Sequence, residues 1–272
     1  MSRKITYYNY SRVGLLTPAQ ILGANYYDNW RAQDLVLNNG DPISSWTSVG
    51  NNAAVMTFGS GQEATYLTNR LNGYPSAQFN GTTDWMQVLS STGMYNFLHY
   101  GGGHIIYVFK SNTGVTSRLL NNINNNTTPT PGFVDLIQDN SGNIRVLTFG
   151  VDNTTGTSSY IFFRDENPSS LNFNEWNVIS KQHEPLSPTN PPRLEMTLNW
   201  GSNLISTSSG GTPVNSNAGA NLIFGKRAIG GNNQYFDGEL VEILISNAVL
   251  STQQKSDLET YYNSTYGTPP IP

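Results

Sequence analysis

The stretch of sequence that decides the fold is Phe236-Asp-Gly-Glu-Leu-Val-Glu-Ile-Leu-Ile245, followed shortly by Leu250-Ser-Thr-Gln-Gln-Lys-Ser-Asp-Leu-Glu-Thr-Tyr-Tyr262. The first segment begins with a turn signal and continues as an apolar run of strand length, which predicts a buried β-strand. The second segment has the apolar spacing of a helix. The chain is therefore expected to end with a core strand and one terminal helix.

Helix signals lie near the two ends of the chain. Near the C-terminus, Ser251 can cap a helix and Gln254 completes a capping box. Near the N-terminus, Thr17 and Gln20 repeat this pattern, and Pro18 suits the first helical position. The C-terminal helix is expected to be the only one longer than two turns.

The sequence between these helices consists of short strand patterns separated by turn signals such as Asn39-Gly, Asn72-Gly and Asn80-Gly. About a dozen strands without intervening helices favour an all-β sandwich of two antiparallel sheets. Two polar tracts, 121–131 and 202–221, are expected to be long loops. The predicted strands are Ala53–Phe58, Ser76–Phe79, Trp85–Val88, His104–Lys110, Phe133–Gln138, Ile144–Phe149, Tyr160–Arg164, Glu175–Lys181, Arg193–Leu198, Asn221–Phe224 and Gly238–Ser246.

Composition narrows the function classes. The 272-residue chain has no cysteine, which excludes a disulfide scaffold, a thiol nucleophile and a cysteine-ligated metal site. Charged residues make up 12% of the chain, about half of the ~25% usual for soluble domains, and the net charge is −4. No nucleic-acid partner is therefore expected. No apolar run approaches the ~20 residues that span a bilayer, so no membrane partner is expected either.

Four stretches of the chain, in this order, resemble motifs of the concanavalin A-like or laminin-G-like jelly-roll domains. In that family such domains are common in bacterial surface proteins and bacteriophage virions. The final stretch is the most specific, because it repeats the family's pattern of a glycine turn, an apolar strand and a terminal helix. The stretches are Asp41-Pro-Ile-Ser-Ser-Trp46 with Val49-Gly-Asn51, Leu71–Trp85, Phe173–Ser180, and Leu222-Ile-Phe-Gly225 continuing through Phe236–Ile245 and Leu250–Gly267.

The resemblance implies a two-sheet antiparallel jelly roll over residues 25–267, preceded by an N-terminal arm over residues 1–24 and followed by a tail over residues 268–272. Such scaffolds serve as recognition or structural modules and sometimes as glycosidases, and function resides in their variable loops. Five large aromatic side chains are expected in the sandwich core. They are Trp46, Phe79, Trp176, Phe224 and Phe236.

A glycosidase needs two carboxylates on either side of the scissile bond, and Asp237, Glu239 and Glu242 form the one comparable cluster. In a regular strand Asp237 and Glu239 share one face and Glu242 points to the other, unless a bulge realigns it. The order also departs from the Glu-x-Asp-x-Glu arrangement of the glycosidases in the family. No catalytic residue is assigned, and the protein is not expected to be an enzyme. The three histidines, His99, His104 and His183, are expected on the surface or in loops.

No cofactor is assigned from the sequence. The family often holds Ca²⁺ at one rim, and the candidate calcium ligands are residues near predicted turns. Asp and Asn in turns also serve backbone geometry alone, so no residue is assigned to a metal. The candidates are Asp84, Asp139, Asn140, Asp152 and Asn153.

A glycan site would combine an exposed aromatic ring with polar side chains of the loops. Tyr95, Tyr100, Trp200 and Tyr235 are the aromatic residues expected at the rim of the sandwich. Spacing does not separate them from edge aromatics of other β-sandwiches.

The function expected first is that of a bacteriophage virion component: a capsid decoration, head-fibre or tail-associated adhesion protein. Its partners would be other virion proteins, further copies of this chain, and host-surface carbohydrate. Tyr7, Tyr8 and Tyr10 of the arm would dock on a neighbour. The N-terminus lacks a secretory signal, so such a protein would be made in the host cytoplasm and released by lysis. The alternative is a bacterial extracellular or cell-surface carbohydrate-binding or adhesion module, with a glycosidase as a third hypothesis.

Overall fold

The computed structural model describes residues 14–112, 116–123, 131–140, 143–152, 159–164, 171, 173–184, 193–201, 204–207, 215–227 and 234–267. Side chains are described for these residues except 138–152, 159–164, 204, 206 and 207. Tyr7, Tyr8 and Tyr10 lie outside the described residues, as does the predicted tail over residues 268–272.

The described chain is an all-β sandwich with one helix at each end. Helix α1 spans Pro18–Leu22 and helix α2 spans Thr252–Tyr266. Single 3-10 turns occur at Gly23–Asn25, Ala32–Asp34 and Asn96–Leu98. The strands are β1 Tyr26–Arg31, β2 Ser45–Thr47, β3 Val55–Phe58, β4 Thr65–Leu71, β5 Tyr74–Asn80, β6 Met86–Val88, β7 Gly103–Ser111, β8 Ser117–Asn121, β9 Gly132–Asn140, β10 Asn143–Asp152, β11 Ser159–Arg164, β12 Trp176–Glu184, β13 Arg193–Leu198, β14 Leu204–Thr207, β15 Leu222–Phe224 and β16 Asp237–Ser246.

Two antiparallel sheets form the layers of the sandwich. In the first sheet the strand order is β14-β13-β12-β7-β16-β5-β4, and β1 also pairs with β16. In the second sheet the order is β11-β10-β9-β8-β15-β6-β3-β2. This architecture confirms the predicted two-sheet jelly roll with a C-terminal helix. None of the helices described here is long and apolar enough to cross a membrane.

Both predicted helix starts are confirmed in atomic detail. Thr17 and Gln20 form a reciprocal capping box at α1, and Ser251 and Gln254 form one at α2. In each box the hydroxyl accepts a backbone N–H of the first turn, and the glutamine side chain accepts the backbone N–H of the cap. Helix α2 ends at Gly267, whose left-handed conformation suits glycine.

The core lies in two layers rather than one. The inner layer fills the space between the sheets, and Trp46, Phe79, Phe224 and Phe236 are buried there as predicted. A second layer lies between the outer face of the first sheet and helix α2. Trp176 packs partly buried against this outer layer, so its predicted position between the sheets is wrong. The reason is its place in β12, where it shares the outer face with Val178.

The predicted polar loop over residues 202–221 contains a strand, β14, which pairs with β13. The sequence Leu204-Ile-Ser-Thr207 has two apolar residues followed by two polar ones, without the alternation that marks a half-buried strand, so it does not stand out from its polar surroundings. The predicted strands also lack β1, β2, β4 and β8.

The last residues of the predicted arm pack on the sandwich. Ile21 and Leu22 are buried in the outer layer with residues of α2. Gln254 in α2 donates a side-chain hydrogen bond to the carbonyl of Ile21 (3.2 Å). Residues 18–22 thus form part of the packed structure. The N-terminal arm stays a prediction for residues 1–13, which lie outside the described residues.

Replacing Leu22 by alanine is expected to lower the free energy of unfolding by about 2–5 kcal/mol, because the substitution opens a cavity in the outer core layer. Leu16→Ala serves as the matched control: the same residue type six positions earlier is exposed, so its effect should stay within about 0.5 kcal/mol. Urea unfolding, monitored by tryptophan fluorescence, measures the free energy of unfolding of both variants. Equal effects of the two substitutions would contradict the packing of α1 described here.

Candidate functional site

A pocket of about 620 Å³, lined mostly by polar residues, lies between the outer face of the first sheet and the N-terminal half of α2. We call it the helix pocket. Its volume falls within the range usual for small-molecule sites, about 300–1,000 Å³. Strands β7, β12 and β13 supply the floor, and the start of α2 supplies the opposite wall. The lining residues are His104, Ser180, Gln182, Glu184, Arg193, Glu195, Thr197, Trp200, Val249, Leu250, Ser251, Thr252, Lys255, Ser256 and Glu259.

Neutral hydrogen-bonding groups form the deepest part of the floor. His104 is only 2% exposed, and its Nε2 lies 2.9 Å from the hydroxyl of Ser180. Burial lowers the pKa of His104 to about 3, while the neighbouring Gln182 side chain partly opposes this fall. The imidazole is therefore neutral near pH 7, with one nitrogen as donor and the other as acceptor. Its Nδ1 has no hydrogen-bond partner among the described residues.

Gln182 connects the floor to the helix wall. Its side-chain oxygen accepts a hydrogen bond from the backbone N–H of Leu250 (2.8 Å), just before α2 begins. Its side-chain nitrogen donates to Glu184 (2.9 Å). The amide thus fixes the height of the helix start above the sheet.

A chain of ion pairs borders the floor. Glu195 on β13 pairs with Arg193 (3.1 Å) and with Lys255 of α2, and Arg193 also lies 3.6 Å from Glu184. Both cations of the pocket are therefore already paired with carboxylates. The lining carries three carboxylates, on Glu184, Glu195 and Glu259, against these two cations.

Trp200 lines the pocket, and its backbone has an unusual conformation. Asn199 and Trp200 both have positive φ angles, 50° and 57°. The N–H of Gly201 donates to the carbonyl of Leu198 (2.9 Å), so these residues form a tight turn after β13. Bulky residues rarely adopt this conformation, which costs on the order of 1–3 kcal/mol and is concentrated at functional sites.

The turn that carries Trp200 is held in place from two sides. Asn199 accepts a hydrogen bond from the backbone N–H of Val178 (2.8 Å) and donates one to Asn177 (3.1 Å). The indole ring of Trp200 packs against Tyr262 of α2, with ring centroids 6.0 Å apart. The ring is half-buried and lines the pocket.

Helix α2, the second wall of the pocket, is fixed to the sheet through a buried carboxylate. Glu242 on β16 accepts hydrogen bonds from the hydroxyls of Tyr262 (2.9 Å) and Tyr266 (2.6 Å). Burial raises the pKa of Glu242, while these hydrogen bonds partly offset the shift. Glu242 therefore holds the helix and does not face a cleft.

The three carboxylates considered for glycosidase chemistry are all engaged in structural contacts. Asp237 accepts a hydrogen bond from Asn112 (2.9 Å). Glu239 binds Arg70 (2.8 Å), Lys110 (2.6 Å) and Ser76 (2.8 Å). Burial alone would raise the pKa of Glu239, but the bonds from these partners hold it at about 2.

Strand β16 contains the bulge that the sequence analysis left open, so the face expected for Glu242 in a regular strand does not apply. The pairing of β16 with β7 shifts between Leu240 and Glu242, so Val241 is an extra residue in the strand. Such a β-bulge reverses the alternation of side chains beyond it. Glu242 therefore lies on the same outer face as Glu239, beneath α2, and the two carboxylates have separate partners.

The predicted glycan contacts divide into three groups. Trp200 lines the helix pocket. Tyr100 and Tyr235 are half-buried and do not line it. Tyr95 is fully buried, and its hydroxyl donates to Asp28 (2.9 Å), so its predicted position at the rim is wrong. Tyr95 packs in an aromatic cluster with Tyr27 and Phe97, which the sequence around Tyr95 did not predict.

Two of the three histidines are placed differently from the prediction: His104 lies on β7 and His183 on β12, and both are buried. His99 lies in a turn after Asn96–Leu98, in agreement with a loop position, but it is buried there. His104 could have been recognised from its position in an apolar strand pattern, where a polar residue on the outer face needs a partner.

The calcium candidates gain no common site in the described structure. Asp84 accepts hydrogen bonds from the backbone of Asn80 (3.0 Å) and the hydroxyl of Thr83 (2.9 Å), which is the geometry of a turn. Asp139, Asn140 and Asp152 lie on strands whose side chains are not described, and Asn153 is outside the described residues. Within the described part of the chain, no group of three or more His, Asp or Glu residues is suited to a metal ion.

Comparison with known proteins identifies similar folds only. Neither a family model nor a curated protein matches the sequence. Among solved structures, the Trypanosoma rangeli sialidase in complex with sialic acid matches 91% of this chain and 34% of its own, at 11% identity and a TM-score of 0.57. The K499G mutant of NanB sialidase from Streptococcus pneumoniae matches 66% of this chain and 27% of its own, at 18% identity and a TM-score of 0.50.

A smaller neighbour is the Ruminococcus gnavus IT-sialidase CBM40 bound to alpha2,3 sialyllactose, with 14% identity and a TM-score of 0.49. The match covers 66% of this chain and 92% of that one. This chain thus spans about a third or less of the two sialidase chains and most of the CBM40 chain. At these identities the similarity shows the sandwich fold alone.

The ion pairs of Glu239 are expected to make the free energy of unfolding depend on pH in a definite direction. Its folded-state pKa is depressed, so its stabilising contribution is present above the unfolded pKa of about 4.3 and is lost as pH falls towards 2. Glu239→Gln is therefore expected to cost on the order of 2 kcal/mol of unfolding free energy at pH 7 and much less near pH 2.5.

The control for this measurement is Glu175→Gln, which neutralises an exposed carboxylate. It should change the unfolding free energy little at either pH. Chemical denaturation of both variants at the two pH values checks the prediction. A Glu239→Gln cost that does not shrink in acid would show that the carboxylate charge is not what stabilises the fold.

Proposed function

We propose that this protein is a carbohydrate-binding module that holds a glycan in the helix pocket without cleaving it. The observation that carries the proposal is the position of Trp200 in a strained turn, where its ring borders a pocket with neutral hydrogen-bonding groups, those of His104, Ser180 and Gln182, in its floor. Ligand sites combine an aromatic surface with a few placed polar groups, and a strained conformation is retained where the surrounding structure imposes it.

The polar groups of the pocket suit sugar hydroxyls. Hydroxyl groups both donate and accept hydrogen bonds, and His104, Ser180 and Gln182 present neutral groups of both kinds. Desolvating such groups costs less than desolvating a charge, so a neutral sugar can enter without a large penalty. The ring of Trp200 supplies the apolar surface against which the C–H face of a sugar can pack.

The charge of the pocket favours an uncharged sugar over an acidic one. Arg193 and Lys255 are both paired with Glu195, and the lining has one more carboxylate than it has cations. An added carboxylate would have to displace one of these pairs, which would leave Glu195 short of a partner.

Binding without cleavage fits the state of the carboxylates. Glycoside hydrolysis requires a proton donor and a second carboxylate that acts as a nucleophile or base. Glu195 is engaged by two cations, and such a carboxylate is a poor proton donor. Glu239 and Glu242 are buried in contacts away from the pocket.

Two of the similar solved structures are sialidases, which agrees with a carbohydrate as partner, and the pocket carries the proposal. An extracellular or cell-surface binding module was the alternative drawn from the sequence. The comparisons give no support to the virion role, which stays a prediction, as do the virion location and the arm contacts of Tyr7, Tyr8 and Tyr10.

The test is a screen of the full chain against an array of defined glycans that includes lactose, sialyllactose and neutral bacterial polysaccharide fragments, followed by calorimetric titration of the strongest binder. We expect a neutral glycan to bind, and Trp200→Ala to weaken it at least about tenfold, a loss of about 1.4 kcal/mol, because the stacking surface is removed.

The matched control is Trp85→Ala, which removes another half-buried tryptophan near β6, away from the pocket. It should leave glycan affinity unchanged. Equal affinity of the Trp200→Ala variant would contradict the site, binding of sialylated glycans alone would contradict the charge argument, and release of free sugar from any glycan would contradict a module that only binds.

A further inference from the structure

A lysine and an aspartate are in contact inside the sandwich, where neither reaches water. Lys181 lies on β12 of the first sheet and Asp135 on β9 of the second, and both side chains are fully buried. The ammonium nitrogen of Lys181 contacts Oδ1 of Asp135. The pair therefore bridges the two layers of the fold across the inner core.

Aromatic rings surround this pair. The Lys181 nitrogen lies 5.5 Å from the ring centre of Tyr107 and 5.9 Å from that of Phe133. The Tyr107 hydroxyl donates a hydrogen bond to Oδ2 of Asp135 (2.5 Å). His183, on the same face of β12, is also buried and lies edge-on to Phe133.

Such an environment disfavours the charged forms of both groups. Burial lowers the pKa of Lys181 well below its ordinary value. Two charges in a dry core carry a desolvation cost of several kcal/mol each, which their attraction repays only with excellent geometry. Transfer of the proton from the ammonium to the carboxylate gives a neutral amine in contact with a neutral carboxylic acid.

We propose that Lys181 and Asp135 react to form an amide that covalently joins the two sheets. The lone pair of Lys181 Nζ attacks Cγ of Asp135 and forms the N–C bond. The Cγ–OH bond then breaks, and the hydroxyl leaves with a proton from Nζ as one water molecule. The atoms balance without an oxidant, a metal or another reagent.

The surroundings supply what the reaction needs. Two groups held in contact react with effective concentrations that reach about 10⁵–10⁸ M in well-oriented systems. The Tyr107 hydroxyl is placed to stabilise the oxygen that becomes negative during attack. The product replaces two buried charges by one neutral amide, which removes the desolvation cost of the ion pair.

The test is mass spectrometry of the full chain under denaturing conditions. We expect the protein to be lighter by one water molecule than its sequence predicts, after calibration against the Lys181→Met variant. A tryptic digest should contain a branched peptide that joins the Lys181 and Asp135 segments, with no cleavage after Lys181. Full sequence mass and two linear peptides from folded protein would overturn the proposal.

Two comparisons make the result specific. The Lys110–Glu239 contact (2.6 Å) is also an amine–carboxylate pair, but Lys110 is partly exposed and Glu239 also binds Arg70, so this pair should stay unlinked in the same digest. Tyr107→Phe should raise the unlinked fraction of freshly made protein. An unchanged linked fraction would overturn the role given to the Tyr107 hydroxyl.

Discussion

The buried carboxylate of Glu242 is the contact on which the candidate site depends. Two tyrosine hydroxyls of α2 converge on it, so the helix is attached to the outer face of the sheet by hydrogen bonds that water cannot replace. An unsatisfied buried carboxylate would be costly, which means that helix and strand specify each other's position. The helix start then lies over β12 and β13 at a distance that leaves a pocket between them, and Gln182 fixes that end through Leu250. The shape of the pocket therefore depends on the buried hydrogen bonds of Glu242 and Gln182.

The two faces of the first sheet pack against different parts of the protein. Its inner face packs mainly apolar residues against the second sheet, and the Lys181–Asp135 pair and His183 are buried among them. Its outer face packs on the middle and end of α2 through apolar residues and the buried Glu242, and it is polar beneath the start of that helix. The polar portion is where Trp200 is presented by a turn of left-handed residues. A stable scaffold can carry that local strain because the rest of the sheet is densely packed.

Much of the fold could be predicted from the sequence. The capping boxes at Thr17 and Ser251, the apolar strand over β16 and the aromatic core positions follow from local patterns that the structure reproduces. The candidate site was less accessible. Trp200 was recognised as one aromatic among several, but its pocket is assembled from three strands and a helix that are distant in sequence. The bulge at Val241 and the burial of Tyr95 depend on pairing partners, which no local pattern encodes. For the same reason the sequence did not predict the second core layer. Trp176 packs against that layer and not between the sheets, where it was expected.

The pocket beneath the start of α2 is proposed to receive a sugar ring. A crystal structure of the full chain soaked with the strongest glycan ligand tests it most directly. We expect a sugar residue packed on the Trp200 ring, with hydroxyls bonded to His104 or Gln182 and the glycosidic bonds intact. A glycan bound on the second sheet, with the helix pocket occupied by water alone, would contradict it.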